Sequence, residues 1–232
     1  MTQMFTTLKP LVLASASPRR QDFLNSLGLE YTVIPALAPE PEIEEGEKPC
    51  AFTMRAASQK AWEVFKLCQT SLPKKALPKE GLPKEGLPEK PSLSAAPCTV
   101  IGADTVVALG DEVMGKPQTK EEALDMLLRL AGQPQTVYTG CSIIIPQQQK
   151  KPKEVCFFAS SQVRMHNFAK HILEAYVQTG EPMDKAGAYA IQGIGAFLVA
   201  EVKGSWTNIV GLPLDELVQV LLENKIIAAH NF

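Results

Sequence analysis

A chain of 232 residues with 45% apolar residues can bury a substantial core, as one larger domain or two small ones. Its net charge of −2, with no basic block, excludes a general nucleic-acid-binding surface. No apolar run approaches the ~20 residues needed to span a bilayer.

The chain opens on a short apolar run, Leu11-Val12-Leu13-Ala14, that stops at Ser15-Ala16-Ser17-Pro18-Arg19-Arg20. The apolar stretch is shorter than the about 7–15 residues of a secretory signal, so a cytoplasmic chain is expected. A strand that feeds a helix through this turn presents backbone N–H groups, two hydroxyls and two guanidinium groups in one place. Pro18 suits the first helical position, where its missing N–H costs nothing. A plainer alternative makes Ser17 a helix N-cap and the arginines a solvated first turn. Two cations there oppose the helix dipole, which favours an anion nearby.

A helix is expected over residues 19–27, stopped by Gly28, then a strand over 30–35. Residues 36–48 are proline-rich and acidic, a solvated loop in which at most one carboxylate should do chemistry. Residues 50–68 read as a helix, with Lys60 at its middle. Leu72-Pro73-Lys74-Lys75-Ala76 begins four copies of a five-residue unit whose recurring proline forbids a continuous helix or central strand. Residues 71–97 are therefore read as an extended surface insertion without a function of its own.

In the next strand, Gly102-Ala103-Asp104-Thr105 lies between apolar residues. A carboxylate there needs a cation or metal partner if it is buried. Gly110-Asp111 turns the chain into a hairpin ending at Gly115-Lys116-Pro117. Thr119 opens a capping box for a helix over 121–131. Strands follow over 135–145 and 154–165, the second without clear alternation. Asn167 is expected to cap a helix that Gly180 stops. The glycine- and alanine-rich stretch from Glu181 to Gly193 reads as a loop whose backbone must approach something closely. A strand over 196–202 and a helix over 214–224, with Leu217, Val218, Leu221 and Leu222 inward, complete a mixed-sheet α/β domain. The cysteines, Cys50, Cys68, Cys98, Cys141 and Cys156, are odd in number and widely spaced. They suggest neither a disulfide framework nor a zinc site, and suit a reducing compartment. His166, His171 and His230 lack metal-ligand spacing.

The combination of Ser15-Ala16-Ser17-Pro18-Arg19-Arg20, Gly102-Ala103-Asp104-Thr105, Gly115-Lys116-Pro117, Asp184-Lys185-Ala186-Gly187-Ala188-Tyr189 and Val210-Gly211-Leu212-Pro213-Leu214 resembles the Maf family of nucleoside triphosphate pyrophosphatases. The resemblance covers residues 11–70 and 98–222. It implies a single domain over 1–232, with a mixed sheet in two lobes around a deep cleft, similar to the inosine triphosphatase fold. It implies hydrolysis of a nucleoside triphosphate to the monophosphate and pyrophosphate, with a divalent metal such as magnesium or manganese, by a cytoplasmic and often dimeric protein.

On this resemblance Asp104 is the catalytic acidic residue, and Arg19, Thr105 and Gln192 match positions that mark the branch acting on dTTP and UTP. Ser15, Ser17, Arg20, Lys60, Lys116 and Lys185 are then expected to grip phosphates, Asp184 to stand with them at the substrate, and Glu40 to hold metal with Asp104. Gln192 can complement the donor–acceptor edge of uracil or thymine. The bland alternatives are a surface Lys60, a local Asp184–Lys185 ion pair and a Gln192 without a base contact. The chain departs from the family at Ala190 and Ala196, where glycine is common. A non-catalytic nucleotide-binding regulator of septum formation is the competing expectation.

Overall fold

The computed structural model describes residues 4–69 and 97–230. The repeat insertion expected over 71–97 lies outside them, save for its last residue. No helix among the described residues is long and apolar enough to cross a membrane.

The frame is a sheet built from β2 (Leu11–Leu13), β3 (Thr32–Val33), β4 (Thr99–Leu109), β6 (Pro134–Ile145), β7 (Lys153–Met165) and β8 (Val199–Lys203), in the order β3-β2-β4-β6-β7-β8. A short β5 (Glu112–Met114) pairs with β4 through the expected hairpin. β2 runs parallel to β3 and β4, and the remaining pairs are antiparallel, so the sheet is mixed as the sequence implied. A separate ribbon joins β1 (Phe5–Thr7) to β9 (Ile227–Ala229), tying the two ends of the described chain together. These strands were too short to carry a pattern.

Alternate residues of β4 and β6 point to opposite faces. Val100 and Ile144 pack with Ala61, Val64 and Phe65 of the long helix α2 (Pro49–Gln69). Ile101, Ala103, Cys141 and Ile143 pack on the other face, with Leu24 of α1 (Pro18–Ser26) and with Leu217 and Leu221 of α6 (Leu214–Glu223). A second core gathers Val107, Val137, Val163 and Met165 against α3 (Lys120–Leu130) and α4 (Lys170–Gln178). β4 therefore threads two lobes, with Asp104 between the residues that face each.

α2 lies unusually close to the sheet because β4 and β6 offer it glycines. A Cβ on Gly102 would stand 2.4 Å from the Ala57 carbonyl oxygen, and one on Gly140 2.3 Å from the Thr53 backbone. That closeness lets Lys60 on α2 reach Asp104 on β4.

Several boundaries differ from the sequence reading. β3 is shorter than expected. Asn167 does not cap α4, because Ala169 is still extended and the helix begins at Lys170. Residues 194–198 turn in a 3-10 helix before β8, because the Glu181 carboxylate accepts from the backbone N–H groups of Ile194 and Gly195. Leu222 is exposed rather than inward. β7 does alternate in burial, from Ala159 through Ser161 and Val163 to Met165, but serine and alanine on the inner face hid the period. A short helix α5 (Trp206–Val210), capped by the Ser205 hydroxyl, precedes α6 and was not foreseen. Thr119 caps α3 as expected by accepting from the Glu122 N–H. Glu122 reaches back to the N–H of Gln118 rather than to that of Thr119.

Candidate active site

A cleft of about 740 Å³ opens between the lobes, and its walls include Ser15, Ser17, Arg19, Arg20, Glu40, Lys60, Asp104, Thr105, Lys116, Asp184, Lys185 and Gln192. Every site residue expected from the sequence lines this one space. They come from the β2–α1 turn, the acidic loop, α2, β4, the segment after β5 and the loop after α4.

The β2–α1 turn is held from inside. Pro18 occupies the start of α1, and Ser17 stands at the cap position but makes no side-chain cap bond. Instead the Ser17 N–H donates to the Ser15 hydroxyl at 3.3 Å. The simple N-cap reading of Ser17 thus does not hold, and the residue lines the cleft.

Arg20 does not project freely. Its Nε donates to the Gly211 carbonyl at 2.7 Å, Nη1 to Ala103 O at 2.9 Å and Ser15 Oγ at 3.0 Å, and Nη2 to Thr105 Oγ1 at 3.1 Å. Burial pulls its pKa below the ordinary arginine value against the attraction of Asp104, yet a guanidinium so placed stays charged. Four of its donor directions are spent on protein, so it organises the floor of the cleft where the sequence suggested a direct phosphate ligand. The chain of bonds continues inward: Thr105 Oγ1 lies 3.0 Å from Thr139 Oγ1, which donates to the Asn208 carbonyl at 2.8 Å. Asn208, fully buried, donates in turn to Val137 O and Ser161 Oγ. Thr139 and Asn208 escaped the sequence reading because only the fold brings them beneath Thr105.

Asp104 is 8% exposed, and its Oδ1 accepts from Lys60 Nζ at 2.6 Å. The same ammonium reaches Glu40 Oε1 at 3.2 Å, and Lys116 Nζ lies 3.8 Å from that carboxylate. Lys60 is therefore no idle surface lysine. Partial burial works against ionisation of Glu40, but the ammonium groups of Lys60 and Lys116 outweigh it and hold the carboxyl below its usual range. On the far wall Asp184 pairs with Lys185, as the bland reading allowed, and also faces Arg19 at 3.9 Å. Its pKa too lies below the usual range, burial being overcome by Lys185 and Arg19.

The loop carrying Lys185 approaches closely, as its small residues implied. Gly187, at φ +68°, donates its N–H to the Gly115 carbonyl at 3.0 Å, and a Cβ there would stand 3.1 Å from Val107. This fastens the segment that carries Lys185 to the one that carries Lys116. Glu181, which gathers the following turn, was also missed in sequence. Beside these charges the cleft offers Phe52, Val107, Val137, Tyr189 and Ile209, an apolar surface suited to a flat ring.

A mixed-sheet α/β protein whose interlobe cleft sets many cations around a partly buried carboxylate belongs to the class built to hold a polyphosphate for chemistry. The family model and the curated relatives agree. The model of the Maf-like protein family matches residues 10–224, and the chain belongs to that family. It is 44% identical over 223 residues to the dTTP/UTP pyrophosphatase of Oleidesulfovibrio alaskensis, covering 96% of this chain and 89% of that one. It is 41% identical over 221 residues to the dTTP/UTP pyrophosphatase of Nitratidesulfovibrio vulgaris, covering 95% and 90%. Among solved structures it superposes on the Ham1 protein of Staphylococcus aureus with a TM-score of 0.46 at 15% identity, covering 94% of this chain and 100% of that one.

Proposed function

We infer that the protein is a nucleoside triphosphate pyrophosphatase that hydrolyses dTTP and UTP to the monophosphate and pyrophosphate. The relatives' names supply the substrates. The observation that carries the reading is the convergence of Asp104 and five cationic side chains on one cleft with an apolar wall.

In this reading Ser15, Ser17, Arg19, Lys116 and Lys185 bind the phosphate chain, with the exposed N–H groups at the start of α1 adding to the anion site. Asp104 orients a water for in-line attack on the α-phosphorus and takes its proton. Lys60 fixes the Asp104 carboxylate, then shares the negative charge that builds on the departing pyrophosphate. Arg20 and Thr105 hold the β2–α1 turn against β4, so that these groups keep their spacing through the reaction. Gln192 reads the base edge with its amide, and the apolar wall takes the ring face.

Magnesium or manganese fits the donor set. Two hard carboxylates, Glu40 and Asp104, already share one cation in Lys60, and among the described residues no group of three metal-ligating side chains exists. A site of one or two carboxylates completed by substrate phosphates is the usual magnesium arrangement. When bound, the metal would neutralise phosphate charge and polarise the phosphoryl oxygens. We extend the reading to a cytoplasmic homodimer, to be checked by fractionation and sedimentation.

The test is product analysis on a panel of nucleoside triphosphates with and without magnesium. Pyrophosphate released in step with monophosphate from dTTP and UTP supports the reading. Release of single phosphates would overturn it, and tight binding without turnover would favour the regulatory alternative.

A further inference from the structure

The backbone that carries Gln192 is tied down on both sides of that residue. Before it, the Ala190 N–H donates to the hydroxyl of Tyr176, a buried residue of α4, at 3.3 Å. After it, the two oxygens of one carboxylate divide the work. Glu181 Oε1 accepts from the Ile194 N–H at 2.9 Å and Oε2 from the Gly195 N–H at 2.7 Å. Glu181 opens the 3-10 turn Glu181–Asp184, and its own N–H donates to Thr179 Oγ1 at 3.2 Å. That hydroxyl donates in turn to the Tyr176 carbonyl at 2.6 Å, so both anchors are fastened to the end of α4. Only Ile191, Gln192 and Gly193 lie between the anchored amides.

Two glycines make room for the anchors. A Cβ on Gly193, at φ +80°, would collide with Glu181 Oε1, and one on Gly195 with the Tyr176 hydroxyl. Carboxylate and phenol thus meet the same short run of backbone. Burial, with the Glu181 charge adding to it, pushes the Tyr176 pKa up, so the hydroxyl keeps its proton.

We propose that Glu181 is a positioning residue for base selection, which with Tyr176 fixes the backbone from which Gln192 reaches the nucleotide. The proposal rests on the reading of Gln192 as the residue that contacts the base. An amide distinguishes a pyrimidine edge from guanine only if its place is set, because on loose backbone it can shift to pair with either. Two hydrogen bonds to a charged acceptor set that place before substrate arrives, so little ordering cost falls on binding. A carboxylate suits the task better than an amide. Both its oxygens accept, whereas glutamine would turn an NH2 group towards one of the two N–H donors. The same turn ends at Asp184, next to Lys185, so one residue links the loop of Gln192 to the charged pair on the cleft wall.

The experiment measures kcat and KM for UTP and GTP in the unaltered protein, Glu181→Ala, Gln192→Ala and the double variant. Glu181→Ala should raise KM for UTP about tenfold, leave kcat within about threefold, and narrow the UTP-over-GTP ratio of kcat/KM about fivefold or more. In the Gln192→Ala background it should change that ratio by less than about twofold, because Glu181 acts through Gln192. Tyr176→Phe keeps the ring in the core but loses the acceptor for Ala190, and should narrow the ratio in the same direction. It decides the matter should Glu181→Ala fold poorly. A protein that binds without turnover yields the same ratio from the dissociation constants of non-hydrolysable UTP and GTP analogues. Equal losses on both nucleotides, or a full further loss in the double variant, would make Glu181 a structural tie and overturn the proposal. Gln192→Ala with an unaltered ratio would remove the base-reading role itself, and the proposal with it. An altered ratio there beside an unaltered one in Glu181→Ala would defeat the proposal alone.

Discussion

Adjacent Arg19 and Arg20 have separate tasks. Nothing local distinguishes them, since both stand in the first turn of α1. The difference lies in the Ala103 and Gly211 carbonyls, which come from distant parts of the chain to claim Arg20 and leave Arg19 facing Asp184. Residue identities at the site were legible because the family resemblance carries them. Their roles depend on partners that only the fold supplies. Gln192 presents the opposite case: it lines the cleft on the loop after α4, and its amide is suited to a pyrimidine edge. Gln192→Ala should lower kcat/KM for UTP by about tenfold, equivalent to one lost hydrogen bond of about 1.4 kcal/mol, and narrow the preference over purine triphosphates. Steady-state kinetics on UTP and GTP checks this, and unchanged selectivity would remove Gln192 from base recognition.

At the scale of elements, the placing of Lys60 depends on how closely α2 lies on the sheet. Glycine within a strand is a sign of close backbone approach, and Gly102 was visible as a small residue before Asp104. That Gly140 serves the same purpose could not be read, since its partner Thr53 lies on another element. Gly140→Ala should cost about 3 kcal/mol, towards the upper end for an overpacked core. A fall in Tm of about 6–12 °C, followed by circular dichroism, would register it.

A second tie on α2 is pH-dependent. Glu154 on β7 accepts from the Ser58 hydroxyl, the Trp62 indole N–H and the Ser142 hydroxyl. Partial burial opposes its ionisation, but these hydrogen bonds prevail and hold its pKa below the usual range. A depressed folded-state pKa contributes stability above the unfolded value, lost as pH falls through the folded value. Acidification below about pH 4 should therefore loosen α2 from β7, seen as a change in Trp62 fluorescence, and Glu154→Gln should flatten that part of the acid titration.

At the scale of the whole molecule, the mixed sheet and the order of its long elements could be read from turn glycines, the capping box and apolar runs. The β1–β9 ribbon and α5 could not, because segments of three to five residues carry too little periodicity. The two lobes have a simple physical origin, since β4 is long enough to contribute Ile101 to one core and Val107 to another. Cys68 packs against the core cluster that contains Cys98, so the chain on either side of residues 70–96 returns to one part of the fold. Replacing residues 70–96 by a short glycine-serine linker should therefore keep turnover within about twofold, because closing a shorter loop changes the entropy little. Steady-state rates on dTTP check it, and a tenfold loss would give the segment a part in catalysis. The central claim is that Asp104 directs water onto the innermost phosphorus, and hydrolysis of dTTP in 18O-labelled water tests it most directly. The label should enter the monophosphate alone, and Asp104→Asn should slow the reaction by about 10²–10⁴-fold while nucleotide still binds. Label in the pyrophosphate, or an Asp104→Asn protein that turns over at the unaltered rate, would contradict it.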